Sequence, residues 1–209
     1  MTGIVIDTTF LITSFVTLLV IIDPFGLAPM FVALTSGMTA RARRAIAFRA
    51  CAVAVGILSL FAWLGELVLE FVGISMAAFR VAGGALLFLT ALDMLFERRS
   101  KRREDKVEED MADPSVFPLA IPLIAGPGSI ASVILLSGQH QGPEGLAMVV
   151  GVMIAVMVVV LAMFLISGLL ERLLGKTGIE VVTRLLGMLL AALAVQFILD
   201  GLREFGFAG

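Results

Sequence analysis

Apolar runs of about 20 residues, the length that crosses a hydrocarbon core, recur along this 209-residue chain with almost no charge inside them. In a bilayer such a run must satisfy its backbone internally, which leaves α-helices and closed β-barrels. Barrel strands would alternate apolar and polar residues over about 10 positions. The runs here are uniformly apolar, so a barrel is excluded. Composition agrees: 60% of the residues are hydrophobic and 15% charged, against roughly 25% charged in a soluble domain, and the mean hydropathy is +1.09. The chain reads as an all-α membrane protein with the lipid bilayer as a partner and no nucleic acid.

Six spans are expected, at about 9–36, 44–71, 74–96, 116–137, 146–170 and 179–202. Arg41, Arg43 and Arg44 lie between the first two, and Arg98, Arg99, Lys101, Arg102, Arg103 and Lys106 between the third and fourth. Arg172 and Lys176 lie between the last two, while the alternate connections "VGIS" and "GQHQGPEG" carry no Lys or Arg. Basic loops stay cytoplasmic, so both termini are expected outside. No Lys or Arg precedes Arg41, so the basic n-region of a cleaved signal peptide is missing and the first span is expected to stay in the mature protein.

The charged loop suggests a division into residues 1–97, a cytoplasmic connector 98–115, and residues 116–209. Two landmarks support a repeat. "RVAGGALLFLTALDML" from Arg80 and "RLLGMLLAALAVQFIL" from Arg184 share Arg-x-x-Gly at an offset of 104, and the proline breaks at Pro24 and Pro127 are 103 apart. Each half holds three spans, so the halves must insert in opposite orientations. Inverted repeats with discontinuous helices at matching positions are a recurring plan of secondary transporters.

Both breaks fall near mid-membrane. Asp23 comes about 14 residues into span one, and "IDPFG" and "AGPGS" put Pro24, Gly26, Gly126, Pro127 and Gly128 where a spanning helix should be most regular. Non-helical backbone at that depth is tolerated only where protein or a water-filled cavity satisfies it. The half-helices after the breaks would begin with free N–H groups, which favour an anion. A substrate carboxylate is expected at the "GPGS" end, with Ser129 adding a hydroxyl. Asp23 would take an ammonium group or a coupling cation. Gly26, Ala28, Gly126, Gly128 and Ala131 leave room for a small ligand. The plainer account is that the prolines and glycines are kinks and packing positions and that Asp23 only caps the following half-helix.

Arg80 and Arg184 either snorkel to the headgroups or hydrogen-bond carbonyls freed at a neighbouring break, in a structural or gating role. Asp93 and Asp200 are read as pairing with loop arginines or lining vestibules, Glu66 and Glu70 as interfacial, and Gln196 and Thr90 as minor pocket candidates. Gly83, Gly84 and Gly187 are helix-packing positions, within or between protomers, and a homo-oligomer is left open. Cys51 is read as a small buried hydrophobe. His140 is the single histidine, which excludes a metal site of several histidines. No nucleophile elbow, Cys cluster or nucleotide loop is present, so neither an enzyme nor a resident cofactor is expected.

"IDPFGLAPMFVALT", "RVAGGALLFLTALDML", "IPLIAGPGSIASVI" and "RLLGMLLAALAVQFILDGL" resemble the signature stretches of the MarC family of bacterial inner-membrane proteins, grouped with amino-acid exporters in the LysE superfamily. The resemblance covers essentially the whole chain outside the charged loop. It implies six spans, a multi-pass protein of the bacterial inner membrane, and movement of small neutral amino acids such as alanine or glycine, as described for archaeal relatives. Asp23, Pro24, Gly26, Pro29, Gly126, Pro127 and Gly128 fit the family's pattern. The expected function is therefore a secondary transporter by export or exchange, with H+ or Na+ as coupling ion. The alternative is a non-transporting scaffold or an assembly or lipid-interacting protein.

Overall fold

The computed structural model describes residues 8–96, 113–139 and 142–207. Most of the charged connector, and His140, lie outside the described residues. Helix α1 is Thr8–Ile22, α2 is Pro24–Leu34, α3 is Ala40–Val72 and α4 is Met76–Leu95. An irregular π-type helical segment, Ser115–Ile124, hereafter the coil, leads to α5, Pro127–Gln139. A long final run, Pro143–Glu204, is interrupted at Gly175 (φ 61°, ψ 178°), giving α6, Pro143–Leu169, and α7, Thr177–Glu204. Five stretches are long and apolar enough to span a membrane, and the bent pair formed by the coil and α5 makes a sixth. The described residues contain no strand.

Local chemistry sets the ends. Thr39 caps α3 by accepting the Ala42 N–H, and Ser75 caps α4 by accepting that of Ala78. Gly73 closes α3 in the left-handed region (φ 80°), where the missing Cβ removes the steric cost. At 33 residues α3 is about 50 Å long, well beyond a hydrocarbon core of about 30 Å. Its arginine-rich start therefore projects outside the core. Arg49 on that stretch forms an ion pair with Asp113 at the entrance to the irregular coil.

The two broken spans occupy the centre. Leu18 and Ile22 of α1 and Val133 and Leu136 of α5 join one apolar cluster with α2, α3 and α6. Val20, Ile21 and Leu135 of the same two helices join a second with α4 and α7. Helices α4 and α7 meet along glycines. A Cβ on Gly84 would lie 2.8 Å from the Ala194 carbonyl oxygen, one on Gly201 2.8 Å from that of Ala77, and one on Gly187 3.0 Å from the Met94 Cβ. Small residues let the backbones approach to dispersion distance, the main attraction available between helices in lipid. Positions rise along α4 as they fall along α7, so the two helices are antiparallel, an arrangement compatible with inverted halves. Gly83 instead faces α5, where its Cβ would lie 3.1 Å from Leu135. The glycines singled out by the repeat thus pack helices within one chain.

Candidate functional site

The first break is one residue wide. Proline at 24 disfavours the α conformation for the residue before it, and Asp is among the few side chains that tolerate the left-handed region. Asp23 adopts it (φ 55°, ψ 68°). Pro24 then opens α2 at a position where its missing N–H costs nothing. The backbone ladder survives on both sides: the Asp23 N–H donates to the Leu19 carbonyl and the Leu27 N–H to that of Asp23, each at 3.0 Å. The Asp23 carboxylate accepts the Gly26 N–H at 3.0 Å, and the residue is 0% exposed. A Cβ on Gly26 would collide with that carboxylate.

Span one is broken at a single left-handed residue, Asp23, between the end of α1 at Ile22 and the start of α2 at Pro24, with one i to i−4 bond kept on each side of it. One expectation is corrected here. At the start of α2, the Gly26 N–H is already taken by Asp23, so that end is satisfied by the chain's own carboxylate.

The second break is wider and begins earlier than expected. Phe117 (φ −123°, ψ 127°) and Ile121 (φ −127°, ψ 125°) are extended within the coil, each immediately before a proline, for the same steric reason. The chain turns by 57° between the coil and α5. The Gly126 carbonyl accepts the Ile130 N–H at 2.9 Å, and Gly126 has to be glycine because a Cβ would approach the Pro122 carbonyl oxygen to 2.6 Å. Gly128 and Ser129 stand in the first turn of α5, where N–H groups have no partner within the helix.

These breaks are packed together. A Cβ on Gly128 would lie 3.2 Å from Leu87, 3.5 Å from Ile21 and 3.7 Å from the Thr90 hydroxyl oxygen. Ile21 is two residues before Asp23. Room expected around Gly26 and Gly128 is therefore filled in this conformation, by the Asp23 carboxylate at one and by Leu87 and Ile21 at the other. Thr90, a minor candidate by sequence, faces Gly128 and donates to the Leu86 carbonyl at 2.9 Å. Ser129 is buried. Sequence reasoning missed Thr17 and Ser132, one turn from Ile21 and Gly128. Both are buried, and their hydroxyls have no hydrogen-bond partner among the described residues. Helical spacing from the breaks was the signal that could have found them.

Other candidates lie elsewhere. Arg80 does not hold a broken span: it bridges α4 to the end of α7 through Glu204 at 2.7 Å, because the antiparallel seam brings the start of one helix to the end of the other. Arg184 is exposed. Gln196 is corrected from a pocket group to an exposed residue that donates to Asp200 at 2.8 Å, one turn along α7. Glu66 and Glu70 are exposed at the far end of α3, Asp93 is half-buried, and Cys51 is buried.

Apolar helices built around two broken spans and a buried acid make this an integral membrane protein of the all-α class. Residues 8–205 match the family described as MarC family integral membrane protein, and the chain belongs to that family. It is 38% identical over 200 residues to the UPF0056 membrane protein YvbG of Bacillus subtilis, covering 93% of this chain and 95% of the relative. It is 36% identical over 197 residues to a UPF0056 membrane protein of Aquifex aeolicus, covering 92% of each. It is also 34% identical over 193 residues to the UPF0056 inner membrane protein YhgN of Escherichia coli, covering 92% and 96%. No solved structure matches the chain.

Proposed function

We propose that this protein is a secondary transporter of small neutral amino acids such as alanine or glycine, working by export or exchange across the bacterial inner membrane, with both termini outside. The observation that carries the reading is the contact between the breaks: Gly128 packs against Ile21, beside an Asp23 sealed from solvent. In this reading Asp23 binds the substrate ammonium or the coupling ion, H+ or Na+. The first-turn N–H groups of Gly128 and Ser129 bind the carboxylate, with Thr90 alongside and the Thr17 and Ser132 hydroxyls within one turn. Pro24, Gly26, Gly126 and Pro127 shape the two breaks. The conformation is closed, so binding requires α5 to separate from Ile21 and Leu87, after which access alternates between the two faces.

A second reading follows from the cap. Because Asp23 already accepts the Gly26 N–H, it has a structural role whether or not anything is transported, as in a scaffold or lipid-interacting protein. Counterflow of labelled alanine or glycine in proteoliposomes separates the two. Asn retains capping ability, so Asp23→Asn is expected to fold yet lose or alter exchange, and Asp23→Leu is expected to lose both exchange and stability. Wild-type exchange in a folded Asp23→Leu would sink the assigned role.

A further inference from the structure

A cavity of about 420 Å³ opens between the start of α3 and the end of α6, and none of the break residues lines it. One wall is basic, formed by Arg43, Arg44 and Ala40, the first residue of α3. The other is apolar: Leu165, Ile166 and Leu169 line it while remaining 48%, 43% and 57% exposed, so that side opens towards the bilayer. The floor is Phe31 stacked on Phe164, ring centroids 4.5 Å apart and 8° from parallel. Arg43 is held in place: its guanidinium lies 5.7 Å from the Phe31 centroid and donates to the Ser167 hydroxyl at 3.4 Å, which in turn donates to the Phe164 carbonyl. Neither Arg43 nor Arg44 is bridged to a carboxylate among the described residues.

Two guanidiniums beside the N-terminus of a long helix attract an anion. An opening onto lipid selects an anion that carries acyl chains, and basic pockets between helices on the cytoplasmic side suit anionic headgroups. We propose that this cavity binds the phosphate of an anionic phospholipid on Arg43 and Arg44, with an acyl chain laid along Leu165, Ile166 and Leu169. The site is independent of the transport reading and of Asp23.

Native mass spectrometry of the full-length protein released from mixed micelles tests it, with phosphatidylglycerol and phosphatidylcholine at equal concentration. The expected result is retention of phosphatidylglycerol over phosphatidylcholine by about tenfold, abolished in Arg43→Gln/Arg44→Gln and kept in Arg41→Gln. Gly168→Leu supplies a variant that leaves both arginines in place. Gly168 lines the cavity and its added Cβ meets nothing within 4 Å, so a leucine there adds apolar bulk at the cavity lining without a contact at its first atom. It too is expected to lose the preference, and it decides the matter if the double arginine variant fails to fold. Equal retention of the two lipids, or wild-type preference in Gly168→Leu, would overturn the proposal. Displacement of phosphatidylglycerol by millimolar glycerol phosphate would assign the site to a soluble phosphate instead and overturn the lipid.

Discussion

Asp23 and Gly26 form one unit. The carboxylate lies over the first turn of α2 because residue 26 has no side chain, and the bond between them closes the break. Gly26→Ala places a methyl on the carboxylate and is expected to cost about 1–3 kcal/mol, read as a lower thermal midpoint in detergent. Gly56→Ala, where the added Cβ meets nothing within 4 Å, is the matched comparison and should be neutral or stabilising by roughly 0.5–1 kcal/mol. Equal midpoints for the two would mean the cap contributes nothing to the break. The break itself was legible, since Asp-Pro inside an apolar run is a local steric conflict. What stands opposite it was not: Leu87 and Gly128 meet across 41 positions, and Phe31 and Phe164 across 133, distances at which residue type alone identifies no partner.

Among the elements, the coil before α5 and the α4–α7 seam carry the most consequence. Prolines at 114, 118 and 122 force an extended residue before two of them, a pattern readable from the sequence although the coil's full extent went unanticipated. The seam depends on backbone approach. Gly84→Leu drives a side chain towards the Ala194 carbonyl, which cannot swing aside as a side chain could, and should cost about 1–3 kcal/mol or more with a drop in folded yield. Gly151→Leu, facing open space, should be tolerated in the same fluorescence-detected size-exclusion assay.

At the entrance to the coil, Ser115, whose N–H donates to the Asp113 carboxylate at 3.0 Å, and then the Arg49 guanidinium hold the Asp113 carboxyl below its ordinary value of 3.8. A lowered folded-state value means the clip's stabilisation is fully present above 3.8 and is lost as pH falls through the folded value. Asp113→Asn should therefore lower the unfolding midpoint at pH 7, and the gap to wild type should close below the folded value. A constant gap across that titration would remove Asp113 from the acid response.

On the scale of the whole molecule, orientation is the first property to establish. With Cys51 replaced by Ala, Phe207→Cys should react with a membrane-impermeant maleimide on intact cells. Ser36→Cys, beside the basic start of α3, should react only after permeabilisation. The reverse pattern would invert the topology and move the Arg43–Arg44 cavity to the outer face. Six apolar stretches, the basic connections between them and the two proline breaks were all legible because each follows from local chemistry: burial of apolar area in lipid, retention of positive charge, and steric exclusion around proline. Tertiary structure alone decided that the breaks lie against each other, that Asp23 is sealed rather than bathed, that Arg80 ties α4 to Glu204, and that Arg43 and Arg44 flank a cavity with an exposed apolar wall. Those outcomes depend on which faces of distant helices meet. In a chain this uniformly apolar, hydrophobicity drives helices into the bilayer without saying which side of each one packs. That choice falls to glycines and close shape fit, whose partners appear only when the chain is folded.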